Sequence, residues 1–127
     1  MTDSEFESVF TNDKPVIFNF HSYPWLIHRL TYRRSGQHRI HVRGYKEKGN
    51  INTPLELAIR NQTDRFSLAI DAIDRMPRFQ ETGADVRDDL LDQQIECIRH
   101  ACEYGVDPKE LADWTWGGDY GRRTMPL

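Results

Sequence analysis

The chain has 127 residues, 38% of them apolar and 29% charged, with a formal charge of −3. That composition suits one soluble globular domain near the commonest domain size, and it excludes the disordered and fibrous classes. The apolar runs are four or five residues long, far below the roughly 18 a membrane helix needs. Residues 1–13 carry four acids and no base, so neither a secretory nor a transit leader is expected there. The two cysteines, Cys97 and Cys102, are too few for a disulfide framework, and their spacing fits no common zinc or redox motif. A reducing, cytoplasmic setting is therefore expected.

Residues 1–13 read as a tail or short helix, with Phe6, Val9 and Phe10 on one side. After the turn at Asn12 to Pro15, the run Val16-Ile17-Phe18-Asn19-Phe20 predicts a strand buried on both faces, as in a parallel sheet. A helix over 24–33 follows, with Ser22 as N-cap and Leu26, Ile27 and Leu30 as its apolar face, flanked by Trp25. Ser35-Gly36 ends it, and the alternation of residues 39–43 predicts a second strand. Strand, helix and strand in about 30 residues make a βαβ unit with an expected right-handed crossover. A polar loop over 44–52 leads to Thr53-Pro54-Leu55-Glu56, a capping box opening a helix to Arg60. The segment Asn61-Gln62-Thr63 breaks the pattern, and a helix over 64–75 presents Phe66, Ala69, Ile70 and Ile73. Residues 78–83 read as a loop. The longest helical pattern, 85–104, places Leu91, Ile95, Ile98 and Cys102 on one face, with Val86 and Leu90 alongside and Cys97 on the flank. Asp107 and Glu110 form a second capping box for a last short helix carrying Leu111, Trp114 and Trp116. Residues 117–127 read as a flexible tail.

Two strands among so many helices leave sheet edges and faces uncovered, so at least one further strand is expected upstream. A domain with an open edge is also expected to pair with itself.

Charge is distributed unevenly. Residues 14–46 hold seven bases (Lys14, Arg29, Arg33, Arg34, Arg39, Arg43, Lys46) and no acid, which leaves ten of the 17 bases against all 20 acids elsewhere. A basic face packed against an acidic one is the plain interpretation, and an anion or nucleic-acid footprint is the alternative. The candidate anion-binding or interface residues are His21, Arg33, Arg34, Arg43, Tyr45 and Lys46. His21 qualifies because ligands favour the carboxyl ends of α/β strands. The arginines qualify because guanidinium suits phosphate. The five histidines lack metal-ligand spacing, Ser22 is in no nucleophile elbow, and residues 44–49 match neither phosphate-loop pattern. No catalytic, cofactor-binding or metal-binding residue is assigned.

Several stretches are specific: Lys14-Pro15-Val16-Ile17-Phe18; His21 with Tyr23-Pro24-Trp25-Leu26-Ile27-His28-Arg29-Leu30-Thr31-Tyr32-Arg33-Arg34; Val42-Arg43-Gly44-Tyr45-Lys46-Glu47 with Gly49; Thr53-Pro54; Asn61 with Asp64-Arg65-Phe66; and Trp114-Thr115-Trp116. Together they resemble the C-terminal domain of phosphoketolases across roughly residues 5–116. Ser22, where a Gly is common in that family, and the Gly-rich end after Trp116 depart from the pattern. The resemblance implies an α/β domain over residues 14–116, three-layered, with a mostly parallel sheet and flanking helices like the transketolase C-terminal domain, and short of its first strand. It implies a longer enzyme that uses thiamine diphosphate and Mg²⁺ to cleave xylulose 5-phosphate, and often fructose 6-phosphate, with inorganic phosphate. The products would be acetyl phosphate and an aldose phosphate. The cofactor would supply the carbanion chemistry from upstream domains. This segment would be structural, with a possible effector role, and inactive alone. Its partners would be the other domains of the same polypeptide and a second subunit, with no nucleic acid and no membrane.

Overall fold

A computed structural model describes residues 1–49 and 51–115 of the chain. Trp116 and the tail expected over 117–127 lie outside the described residues. Helix α1 spans Asp3–Phe10, strand β1 Val16–Asn19, helix α2 Pro24–Thr31 and strand β2 Ile40–Arg43. Then come α3 at Pro54–Asn61, α4 at Arg65–Arg75, α5 at Phe79–Thr82, α6 at Ala84–Tyr104 and α7 at Lys109–Ala112. The fold is α/β, with helices around a small parallel sheet.

Strands β1 and β2 pair in parallel, with Val16 opposite Ile40, Ile17 opposite His41, Phe18 opposite Val42 and Asn19 opposite Arg43. Among the described residues these two strands are the whole sheet. The expectation that β1 is buried on both faces is corrected: Val16, Ile17 and Phe18 are half-buried and Asn19 is exposed. With one strand neighbour, the apolar run of β1 is covered only in part, by α4 among its neighbours.

Helix α1 is not a loose tail. Thr2 and Glu5 form a reciprocal capping box. Phe6 is buried and its ring lies 4.7 Å from that of Phe10. The far end of the helix is closed by Arg39, which is only 7% exposed. Its Nη1 donates to the carbonyls of Lys14 (2.5 Å) and Phe10 (3.3 Å), and its Nη2 to that of Thr11 (2.8 Å). A cation over the last carbonyls of a helix satisfies otherwise unpaired acceptors and complements the dipole.

Several local expectations change. Helix α2 ends at Thr31, and its N-cap is Tyr23 with no side-chain bond, not Ser22. The Ser22 carbonyl is taken instead by the amide of Tyr45. Of the expected α2 face, Ile27 is buried, but Leu30 is 72% exposed and Trp25 and Leu26 also face solvent. The loop expected over 78–83 contains the single-turn helix α5. Thr53 caps α3 as expected, its hydroxyl accepting from the Glu56 amide, and the Glu56 carboxylate, near the Thr53 backbone, also pairs with Arg60. Asp107 does not cap α7. It accepts from the hydroxyl of Thr53 and, at 3.0 Å, from the amide of Leu55, so it closes the start of α3 across 52 residues. α7 begins after Pro108 with no side-chain cap.

The core lies between α3, α4 and α6, where Ile59, Phe66 and Cys97 are buried together with Leu55, Leu90, Ile98 and Leu111 around them. The expected buried face of α6 keeps Leu90 and Ile98 but is otherwise rotated by one residue. Cys97 is fully buried, whereas Ile95 is 64% exposed and Cys102 is exposed. The inward positions are Leu90, Gln94, Cys97, Ile98 and Ala101. Gln94 reaches Asp64 and Ser67 at the start of α4, where Asp64 caps the amides of Phe66 and Ser67. Burial raises the Cys97 thiol to about 11. Arg65 then ties in the C-terminal end, donating to the Leu111 carbonyl and lying over the rings of Phe66 and Trp114.

Candidate functional site at the carboxyl ends of the strands

Parallel strands deliver their carboxyl ends, and the loops that leave them, to one side of the sheet. Here the two exit loops stay joined beyond the strands. The Phe20 amide donates to the Arg43 carbonyl (2.8 Å), and the Tyr45 amide to that of Ser22 (2.9 Å). Gly44 permits this crossing, because a Cβ there would stand 2.5 Å from the Ser22 oxygen and 2.9 Å from Cδ of Pro24. The rings of Tyr23 and Tyr45 meet edge-on at 5.7 Å. The Tyr23 hydroxyl donates to Glu47 at 2.9 Å, a bond that raises the phenol above its usual value.

Asn61, at the end of α3, organises the second loop. It is 2% exposed, yet it uses both ends of its amide. Its Oδ1 accepts from the backbone of Lys46 and Lys48, and its Nδ2 donates to the carbonyls of Lys48 and Leu57. A buried side-chain amide satisfied in this way fixes the loop it holds. Between the two loops and α3 runs a shallow cleft of about 270 Å³, lined by Phe20, His21, Tyr45, Pro54, Leu57 and Asn61.

The second half of the site is charged. Arg43 ends β2 and forks onto Asp71 of α4, Nε to Oδ2 and Nη2 to Oδ1, both at 2.5 Å. Arg75, one helical turn on, lies 3.8 Å from the same carboxylate. Burial works to raise the Asp71 carboxyl, but the bond from Arg43 and the charges of Arg43, Arg75 and His41 outweigh it and hold the group below the usual carboxylate range. The same bond raises the Arg43 guanidinium against its own burial. His41 sits two residues before Arg43 on β2. Burial, then Arg75 and Arg43, lower its imidazole in spite of Asp71. Lys46 is lowered by burial and by Arg43 and Lys48. Gln62, which leaves α3 in the left-handed region at φ 59°, brings its Oε1 to both cations: 2.9 Å from Arg43 Nη1 and 2.6 Å from Lys46 Nζ.

Of the six candidate residues, the structure brings His21 and Tyr45 to the cleft and Arg43 and Lys46 to Gln62. Arg33 and Arg34 go elsewhere. Arg34 anchors the first turn of the chain through the Met1 carbonyl, Asp3 and the Phe6 ring, and Arg33 stacks on Tyr32. Sequence reasoning missed the loop-holding role of Asn61, read as a helix breaker and as part of a family stretch, and missed Asp71 as a site residue. Neither contact has a local signature, since Asp71 and Arg43 are 28 residues apart. Among the described residues no group of three or more His, Cys, Asp or Glu side chains is placed to hold a metal, and no helix is long and apolar enough to cross a membrane.

A parallel α/β unit with specific aromatic and basic exit loops defines the class, and comparison with known proteins defines the family. The model of the XFP C-terminal domain matches residues 1–116. A probable phosphoketolase of a Synechocystis species is 60% identical over 116 residues, covering 91% of this chain and 14% of that protein. Another, from Methylococcus capsulatus, is 63% identical over 118 residues, covering 93% of the chain and 14% of the relative. A third, from Thermosynechococcus vestitus, is 61% identical over 116 residues, covering 91% and 14%. The chain belongs to the phosphoketolase family, and it corresponds to that family's C-terminal domain. It spans about 14% of the length of these relatives.

Proposed function

We propose that this chain serves as the C-terminal domain of a phosphoketolase. The whole enzyme would cleave xylulose 5-phosphate, fructose 6-phosphate or both with inorganic phosphate, giving acetyl phosphate and an aldose phosphate. The observation that carries this reading is identity near 60% to probable phosphoketolases over 91–93% of the chain. The whole enzyme would use thiamine diphosphate and Mg²⁺, which together stabilise a carbanion next to the cleaved bond. The described residues offer no carboxylate or histidine set for that metal, so no step of the reaction is assigned to them.

The role of the domain itself is structural. It packs beside the remaining domains of the same polypeptide and supports a homo-oligomer in the cytoplasm. A nucleic-acid role for residues 14–46 is disfavoured because much of the basic charge there is already used. Lys14 pairs with Asp13, Arg34 with Asp3 and Arg43 with Asp71, while Arg39 is spent on backbone carbonyls. The test is to incubate the chain with xylulose 5-phosphate, phosphate, thiamine diphosphate and Mg²⁺ and to assay acetyl phosphate. No product above background is expected. Turnover by the chain alone would overturn the structural assignment.

A further inference from the structure

We propose that Arg43, Lys46 and Gln62 form a seat for a small dianionic oxyanion, such as a phosphate group, just beyond the carboxyl ends of the strands. The first observation is the bonding of Gln62. An amide oxygen has two lone pairs, and both of those on Gln62 Oε1 are taken by cationic donors, Arg43 Nη1 and Lys46 Nζ. Two cations converging on one neutral acceptor satisfy their hydrogen bonds but not their charge. An oxyanion at that point would replace two bonds to a neutral oxygen with two bonds between opposite charges.

The second observation is the local charge. Arg43, Arg75 and Lys46 are gathered around one carboxylate, Asp71, which leaves an excess of two positive charges before His41 and Lys48 are considered. Glu47, the acid in the same loop, is turned to the Tyr23 hydroxyl. The third observation is an unmet donor in the same cluster: Nε of Arg75 is buried and has no hydrogen-bond partner. The excess of two selects a dianion over a monoanion. With its fork held by Asp71, Arg43 still presents Nη1, and this donor and the point charge of Lys46 suit two oxygen atoms of a tetrahedral centre. Asn61 holds the loop that carries Lys46, so the seat is organised before any ligand arrives.

The test uses the full 127-residue chain in a buffer free of polyvalent anions, with sodium chloride added to keep ionic strength constant. Inorganic phosphate, sulfate and acetate are titrated while the Gln62 side-chain amide and the Lys46 backbone amide are followed by NMR. Saturable shifts at those groups are expected with phosphate and sulfate, and acetate should bind at least about tenfold more weakly. Lys46→Gln, at an exposed position, should weaken sulfate by about tenfold. Gln62→Glu, which supplies the missing charge from the chain itself, should abolish sulfate binding and raise the thermal midpoint in anion-free buffer. The proposal is overturned if neither dianion gives a saturable shift, if acetate matches sulfate, or if both variants bind sulfate as the parent chain does.

Discussion

Gly36 lies against the guanidinium group of Arg39: a Cβ at Gly36 would stand 2.6 Å from Nε and 3.0 Å from Nη2 of that side chain. Gly36 also adopts φ 67°, in the left-handed region where a side chain is strained. Arg39 cannot swing aside freely, because three carbonyls at the end of α1 and in the turn after it hold its Nη1 and Nη2. Gly36→Ala is therefore expected to cost about 1–3 kcal/mol, combining backbone strain with a displaced cap. Arg39→Met should cost about 2–4 kcal/mol through lost bonds to a charged donor. The two sites share one device, so urea denaturation of the double variant should show a loss smaller than the sum by at least about 0.5 kcal/mol. Strict additivity would contradict the coupling.

Asp107 and Glu110 separate the observed capping from the expected one. Asp107 serves α3 through Thr53 and Leu55, and α7 has no side-chain cap. Asp107→Ala should destabilise the chain by about 1–2 kcal/mol, in the range of a lost N-cap. Glu110→Gln should leave the denaturation midpoint unchanged within about 0.5 kcal/mol. Equal losses in both variants would restore the local capping box.

The pH dependence follows from His41 and Asp71. Burial lowers His41 in the folded chain, so unfolded chains bind its proton first as pH falls below the ordinary imidazole value of about 6.5. Its contribution is present in full above that value and is lost as pH falls through the folded one. Asp71 is also held low, and it contributes above the ordinary carboxylate range and is lost on further acidification. Urea midpoints should therefore fall from pH 7 towards pH 5, and fall again below about pH 4. His41→Gln should flatten the first decline and leave the second. A midpoint that is constant between pH 7 and pH 5 would contradict the half-buried imidazole.

The two thiols should differ sharply. The reacting species is the thiolate. Cys97 is fully buried with its thiol raised to about 11, whereas Cys102 is exposed. At pH 8 a maleimide should label Cys102 alone in the folded chain and both residues after unfolding, as mass spectrometry would show. Labelling of Cys97 in the folded chain would refute the observed face of α6.

That face shows what the sequence makes legible and what it hides. Elements announced by strong local chemistry were readable: the apolar run of β1, Pro24 opening α2 and Thr53-Pro54 opening α3. The orientation of α6 was not. Leu91, Ile95, Ile98 and Cys102 make the more conspicuous apolar stripe. The buried stripe one residue earlier contains Gln94, whose polar head is satisfied by Asp64 and Ser67. It also contains Ala101, a small residue that contributes little to any periodic pattern. At the candidate site, the sequence pointed to Arg43 and Lys46 by charge, and to His21 and Tyr45 by their place after a strand. It could not separate them from Arg33 and Arg34. What distinguishes them is pairing across long chain separations, Arg43 with Asp71 and Arg34 with Asp3. The family, by contrast, was legible from long specific runs such as residues 23–34 and 42–47, which sit on α2 and at the joined exit loops.

The central claim, that this chain is a working phosphoketolase C-terminal domain, is tested most directly by exchange. Residues 1–116 would replace the matching stretch of the Synechocystis relative, and the purified chimera would be assayed for acetyl phosphate from xylulose 5-phosphate. The account predicts phosphate-dependent turnover within about tenfold of the parent enzyme, a change of about 1.4 kcal/mol in barrier at most. A chimera that folds and assembles as the parent does, yet forms no acetyl phosphate, would contradict it.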